Sequence, residues 1–421
     1  MPTRLPKPSP FICRRCLHAR RAQRSRRPYS STTAAASATP PSPPPSGIAH
    51  LTNRRLVSLA GRDAPKFLQG LTTNDVSPAR TQGWFCAFLN AQGRVLWDAL
   101  VYPWRGASEG AGERGEGDWA CLIEVDAGEV KGLLGHLKRH KLRSKVRIRE
   151  VEEGEVGVYA AWREGESGCT GTAGDAADSM SAYDRSGGSS LSLALPDPRV
   201  PGFGHRLLIP SSPGSSSTAP SNAPGFEGLP PANLTAYTLR RYLHGLAEGP
   251  HEMPPQAALP LESNIDYMSG VDFRKGCYVG QELTIRTHHT GVVRKRILPA
   301  ALYAPGAGAA PAALAYDATA AAAVALPPAG AEIRRVEGRG RGAGRWIAGV
   351  GNVGLALCRL EMMTDVRVSA EGGGWTPGME FKIGWGEDGG AKEEVGVKAF
   401  VPEWHRGKER VRGAPRRALE E

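Results

Sequence analysis

Long apolar runs are missing from this 421-residue chain: no stretch of 18 or more apolar residues occurs, which excludes a membrane-spanning helix. Acid is missing from its first 62 residues, Asp63 being the first carboxylate. Met1 to Tyr29 carries nine Lys or Arg and no Asp or Glu, so most of the net charge of +11 sits in this leader and the remainder is close to neutral. That distribution argues against a nucleic-acid or membrane partner and for a mitochondrial presequence, since an acid-free, Arg-rich arm is drawn inward by the membrane potential. Arg27-Pro28-Tyr29-Ser30 fits the matrix-protease pattern, with cleavage after Tyr29. Cysteine is sparse. Cys13 and Cys16 fall in the leader, and Cys86, Cys121, Cys169, Cys277 and Cys358 are an odd number at wide spacing, which suits a reducing compartment rather than a disulfide scaffold.

Gly and Pro, in contrast, are plentiful at 53 and 34 residues, and they cluster. The composition divides the chain into a leader and Pro-rich spacer (1–45), an α+β region (46–300) interrupted by insertions at 164–190 and 210–232, a low-complexity linker (301–331), a β-rich region (332–403) and a disordered basic tail (404–421). The Gly/Ser/Ala/Pro segments lack the apolar surface needed to offset ordering their backbone.

Within the α+β region, Gly61 to Leu71 reads as a helix capped by Asp63, with Pro65 in its first turn. Trp84 to Leu89 and Arg94 to Tyr102 alternate around Asn90-Ala-Gln-Gly93, a β-hairpin. Trp119 to Val125, Lys145 to Val151 and Glu155 to Ala161 read as strands. Val130 to His140 is a basic amphipathic helix, and Leu234 to Leu246 a helix capped by Asn233. Gly349-Val-Gly-Asn-Val-Gly354 matches a dinucleotide fingerprint but sits in β-rich text with no βαβ unit to serve it.

The most distinctive text runs from Leu261 to His289. Cys277 follows Arg274, Lys275 and Gly276 and precedes a short helix predicted over Tyr278 to Thr287. Neighbouring cations and a helix N-terminus both favour thiolate, and Gly276 and Gly280 give a ligand room to approach. Such a thiolate ligates iron or attacks an electrophile; the alternative is a buried structural cysteine. His288 and His289, read as part of a strand, face opposite ways, so at most one reaches Cys277, and no orienting third residue is visible. No zinc-ligand quartet is present. The basic residues from Arg406 to Arg417 read as a solvated end.

Lys275-Gly-Cys-Tyr-Val-Gly-Gln-Glu282 resembles the signature of the YgfZ/GcvT-like folate-binding family. Phe67-Leu-Gln-Gly-Leu-Thr-Thr-Asn-Asp75, Gly93-Arg-Val-Leu-Trp-Asp98, Thr284 to Gly291, Arg294 to Pro299 and Gly354 to Arg359 continue the likeness, which runs from about Ile48 to Val401. The resemblance implies an α+β, GcvT/YgfZ-like multi-domain ring around a central opening, with a C-terminal β-barrel. It implies a tetrahydrofolate-shaped cavity, for which Asn74, Asp75, Asp98 and Arg286 are the candidates. Joined to a presequence, it implies a matrix protein, monomeric alone, that serves late maturation of [4Fe-4S] proteins. Its partners would be A-type scaffold proteins and apo iron–sulfur proteins such as aconitase-like and radical-SAM enzymes. Cys277 would then be the metal-ligating residue of a transient iron–sulfur cluster shared with a partner, within a motif of Lys275, Gly276, Tyr278, Gly280, Gln281 and Glu282.

The competing class is the related tetrahydrofolate-dependent aminomethyltransferase. That enzyme carries paired acids in the hairpin, whereas here Trp97 stands beside the single acid Asp98, and the pterin chemistry needs a carboxylate to orient and protonate it. The resemblance therefore favours a non-catalytic assembly factor. Bland roles stand beside the functional ones: Asn74 and Asp75 as caps, Gln281 and Glu282 as ties to backbone amides, Arg286 as a partner of Glu282 one turn away.

Overall fold

The computed structural model describes residues 39–104, 119–164, 193–210, 225–304, 310–337, 342–369, 373–386 and 393–408. Residues from Thr39 onward form one compact unit, separate from Met1–Ala38. In chain order this unit contains β1 (Ser46–His50), β2 (Arg54–Ala60), α1 (Ala64–Gln69), β3 (Trp84–Leu89), β4 (Val95–Trp104), β5 (Ala120–Asp126), α2 (Val130–Lys141), β6 (Arg147–Glu150), β7 (Val156–Arg163), β8 (Leu193–Pro196), β9 (His205–Pro210) and β10 (Pro231–Ala232). There follow α3 (Leu234–Leu243), α4 (Gln281–Thr290), β11 (Lys295–Tyr303), α5 (Ala318–Ala322), β12 (Glu332–Arg335), β13 (Gly344–Val350), β14 (Val353–Arg359), α6 (Leu360–Met363), β15 (Phe381–Trp385) and β16 (Glu393–Ala399).

Two five-stranded sheets and a closed barrel organise these elements. One sheet has the order β3-β4-β5-β2-β6, and both its faces are covered. Phe88, Ala99, Val101 and Ile123 pack beneath α1 and α2, while Phe85, Leu100, Tyr102 and Leu122 face the second sheet, β10-β1-β7-β9-β8. Two covered faces explain why β3 (Trp-Phe-Cys-Ala-Phe-Leu) is buried at every residue, as a strand between two layers must be. The barrel runs β11-β14-β13-β12-β15-β16 around Leu298, Ile333, Trp346, Ala356 and Ile383. The mixed helix-and-sheet body and the terminal barrel match the fold class that the sequence implies.

Several local expectations hold, with a physical reason for each difference. Asn233 caps α3 through its Oδ1, which accepts the Ala236 amide at 2.8 Å. Asp63 occupies the N-cap of α1, but its carboxylate accepts the Lys145 amide at 2.7 Å and ties two loops together instead of capping. The Gly349–Gly354 fingerprint is the β13–β14 hairpin, where a Cβ at Gly349 or Gly354 would meet the Trp346 indole at 2.5 Å; these glycines make room for a ring. The barrel begins earlier than residue 332, because β11 pairs with both β14 and β16 and the barrel cannot close without it. Part of the 301–331 linker is structured: Asp317 caps α5, and Ala321 is buried.

The Pro-rich spacer is pinned to the body, Trp162 Nε1 donating to the Pro44 carbonyl at 3.0 Å. The end of the 210–232 insertion forms β10, which pairs with β1. The basic tail is anchored at its start, where Trp404 Nε1 donates to the His244 carbonyl at 2.9 Å. The presequence with Cys13 and Cys16, most of the 164–190 insertion with Cys169, and the tail beyond Lys408 lie outside the described residues.

Candidate functional site

The two most distinctive motifs of the sequence meet in space, and Lys275 joins them. Its ammonium donates to three backbone carbonyls at the end of α1 and just beyond: Gln69 at 2.8 Å, Thr72 at 2.6 Å and Asn74 at 2.8 Å. Val279 adds a backbone bond to the Gly70 carbonyl at 3.0 Å. Burial pulls the Lys275 amine down to about 8, against the pull of Asp75 and Asp272. The lysine is therefore the staple of the loop. Its charge is turned into the carbonyl cage, and the role of a cation poised over Cys277 falls away.

Cys277 stands at the top of this stapled loop, exposed and without a hydrogen bond among the described residues. The helix expected from Tyr278 starts at Gln281, with Gly280 as its N-cap, so the thiol lies ahead of the helix rather than on its first turn. The other described cysteines are of a different kind. Cys86, Cys121 and Cys358 are buried, and burial pushes Cys86 and Cys358 up to about 12 and Cys121 well above the ordinary thiol range. These are packed thiols, and Cys277 is the one that a partner can reach among the described residues.

The two glycines of the motif do different things. Gly276 faces open space. Gly280 has φ +80°, and a Cβ there would lie 2.2 Å from the Asn90 carbonyl oxygen, while a Cβ at Gly93 would lie 2.8 Å from the Gly280 carbonyl oxygen. The β3–β4 turn and the start of α4 thus fit together only as a glycine pair, and Gly280 serves packing rather than ligand approach. Gln281 Oε1 accepts the Tyr278 amide at 3.3 Å. Tyr278 is buried in the core shared by the two sheets, and burial raises its phenol to about 12. Glu282 and Arg286 are exposed on α4. His288 and His289 belong to this helix and not to a strand; the His288 ring stacks on Phe273 with centroids 3.4 Å apart.

The four folate-cavity candidates do not converge. Asn74 is buried and fully engaged, its amide donating to the Phe85 and Ser269 carbonyls at 2.8 Å each and its oxygen accepting the Asp75 amide at 2.8 Å. Asp75 accepts from Gln69 Nε2 at 2.8 Å. Asp98 is buried on the other side of the hairpin, accepting from Arg54 Nη1 at 3.3 Å and from the Gly249 amide at 3.1 Å. The three main cavities, of about 520, 460 and 180 Å³, draw no wall from any of the four. Asn74, Asp75 and Asp98 are thus each engaged by partners within the protein. Successive β4 residues face opposite ways, so Trp97 points away from Asp98 towards α2, its indole donating to Glu129 Oε2 at 2.9 Å. Arg54 pairs with the Asp98 carboxylate.

Asp98 is one end of a charged network that the sequence reading missed. Arg54 also binds Glu124 at 2.8 Å, Arg206 lies 3.4 Å from Glu124, and Glu248 receives Arg206 at 2.5 Å, Arg199 at 2.7 Å and the Tyr237 hydroxyl at 2.9 Å. Asp197 holds Arg199 at 2.7 Å, and Glu252 takes both terminal nitrogens of Arg241 at 2.7 and 2.8 Å. All of these groups are buried. Burial alone would push the Glu248 carboxyl up, but the guanidiniums of Arg206, Arg199, Arg54 and Arg241 hold it well below the usual carboxylate range. A signal was available: Glu124 is an acid set between Ile123 and Val125 in a strand that is otherwise apolar up to its terminal Asp126, and Arg206 heads the apolar run Leu-Leu-Ile.

Comparison with known proteins agrees with this geometry. Residues 294–407 match the family model described as the CAF17 C-terminal beta-barrel domain. The chain is 49% identical over 379 residues to the mitochondrial iron-sulfur cluster assembly factor IBA57 homolog of Aspergillus fumigatus, covering 86% of this chain and 82% of that protein. It is 49% identical over 381 residues to the corresponding protein of Neosartorya fischeri, with the same coverage, and 40% identical over 414 residues to that of Neurospora crassa, covering 94% and 88%. Among solved structures, the glycine cleavage system aminomethyltransferase T of Bartonella henselae shares the fold, with a TM-score of 0.52 at 14% identity over 85% of this chain and 86% of that one.

Proposed function

The chain belongs to the IBA57 family of mitochondrial iron–sulfur cluster assembly factors, and from that premise we propose that Cys277 is the residue through which it holds a cluster in transit. The observation that carries the reading is the contrast among the described cysteines: three buried, protonated thiols and one exposed thiol on a loop stapled to the core. Among the described residues no group of three or more His, Cys, Asp or Glu is arranged to hold a metal ion. A single thiolate cannot complete the terminal ligand set of a [2Fe-2S] unit. The remaining ligands then come from a second protein, for which an A-type scaffold is the proposed partner, and apo iron–sulfur proteins such as aconitase-like and radical-SAM enzymes are the proposed recipients. The stapled loop supplies what such an exchange needs: an exposed thiol on an anchored loop and open space at Gly276.

The role is one of assembly and not of aminomethyl transfer. Asp98 is the acid a transferase would use, and it is neutralised by Arg54 and bonded to the Gly249 amide. Tetrahydrofolate binding, if it accompanies the role, is passive. The test is activation of apo-aconitase by cluster-loaded A-type scaffold, with wild-type chain or Cys277→Ser added. Wild type should accelerate activation and the variant should not; equal acceleration by both would remove Cys277 from the mechanism.

A further inference from the structure

A basic surface caps the end of α2 and takes no part in the cysteine loop. Seven of the twelve residues from Lys138 to Arg149 are Lys or Arg, and none is acidic. Lys138, Arg139, Arg143, Lys145 and Arg147 are exposed. Arg62, Lys141, Lys145 and Arg147 line a cleft of about 460 Å³ between the β2–α1 turn and the α2–β6 loop. Among the described residues, Asp63 is an acid beside it: its Oδ2 accepts the Lys145 backbone amide at 2.7 Å and its Oδ1 lies 4.0 Å from Arg62 Nε. Cations in the last turn of α2 complement the carbonyl end of the helix. That role does not extend to Arg143 and Lys145, which lie past the helix.

Leu142 is a second and independent observation. It sits immediately after α2 with φ +43° and ψ −114°, a positive-φ conformation that residues with a side chain rarely adopt, and the residue is 88% exposed. The backbone is strained to present a large apolar group that packs against nothing, which the fold itself does not require. An apolar side chain protruding from a ring of cations is the chemistry of a bilayer interface, where the apolar group enters the acyl boundary and the cations meet lipid phosphates.

We propose that this surface docks on anionic phospholipid, with Leu142 inserted and the cleft at Arg62, Lys141 and Lys145 receiving a headgroup phosphate. A nucleic acid would use the cations but has no use for Leu142. The docking site and the cysteine loop are tied to opposite ends of one six-residue helix: Gly61 and Arg62 line the cleft ahead of α1, and Lys275 grips the carbonyls at and beyond its far end. A membrane-docked chain would therefore present its cluster-handling loop from a fixed position.

Vesicle co-sedimentation tests this with the compact unit from Thr39 onward, since the Arg-rich leader would bind anionic vesicles by itself. The unit should sediment with phosphatidylcholine vesicles containing cardiolipin and not with pure phosphatidylcholine, and salt should release it. The Lys141→Glu/Lys145→Glu pair should weaken partition at least about ten-fold. Leu142→Asn, which removes the apolar group at an exposed position and should keep the wild-type melting temperature, should weaken it about five-fold. Equal binding to neutral vesicles, or wild-type binding by both variants, would overturn the proposal. So would a loss confined to the charge variant with Leu142→Asn unaffected, which would mark the patch as a surface for a nucleic acid or an acidic protein.

Discussion

Lys275→Met removes the ammonium that joins the two motifs while keeping an unbranched apolar stem near Tyr278. Three charge-assisted hydrogen bonds, at 2.6 to 2.8 Å, are lost together. Bonds to a charged group contribute roughly 1.5–3 kcal/mol each when only one partner is removed. They do not add fully, because the wild type also bears the cost of burying the charge, the cost that lowers its amine to about 8. Water reaching the partly open loop will also satisfy some of the carbonyls left behind. A net loss of about 3 kcal/mol is expected, which in a unit of this size lowers the thermal midpoint by roughly 3–6 °C. The same variant should raise amide hydrogen exchange in residues 270–280 and around Thr72 to Asn74, because the staple holds both segments. A midpoint within 1 °C of wild type (about the resolution of such a melt), together with unchanged exchange, would refute the argument that Lys275 organises the site.

The other expectations concern the packing and charge beneath the loop. Gly280→Ala should destabilise strongly, since it places a Cβ 2.2 Å from the Asn90 oxygen at φ +80°, whereas Gly276→Ala should be nearly silent; paired thermal melts check both. Glu248→Gln leaves buried guanidiniums short of their counter-charge and should cost about 3–5 kcal/mol in denaturant unfolding. Glu248 is held well below its ordinary value of 4.5, so its contribution is complete above that pH and is lost as pH falls below it; the wild type should lose more stability through this acidic range than the variant. Asp98→Asn should destabilise by about 1–3 kcal/mol. Neither it nor the wild type should make methylene-tetrahydrofolate from an aminomethylated lipoyl carrier protein, and production that disappears with the substitution would restore the transferase reading.

What sequence reading recovers is what local physics writes into it. The β3–β4 hairpin, the Asn233 cap, the amphipathic α2 and the Gly-punctuated barrel each follow from periodicity or turn chemistry within a few residues. The exposure of Cys277 was not written there. The cations upstream of it suggested an electrostatic role, but Lys275 spends its charge about 200 residues away in sequence, on carbonyls that no local rule identifies. Gly280 reads as room for a ligand until its neighbour across the fold, the Asn90 turn, is seen. The buried arginines were read past for the same reason: Arg54, Arg199, Arg206 and Arg241 look like surface until their acids arrive from other strands and loops. The α2 cations entered the sequence reading as one face of a helix, and the near-neutral charge of the body hid their concentration at one end.

The central claim rests on one thiol, and the anaerobic absorption spectrum of its complex tests it most directly. Wild-type chain mixed with cluster-loaded A-type scaffold should give a visible spectrum distinct from that of scaffold alone, with a longer-lived cluster. Cys277→Ser, folded by circular dichroism, should leave the scaffold's own spectrum and lifetime unchanged, and a Cys86→Ser control should behave as wild type. A Cys277→Ser complex with the wild-type spectrum and cluster lifetime would show that the stapled loop does not ligate iron.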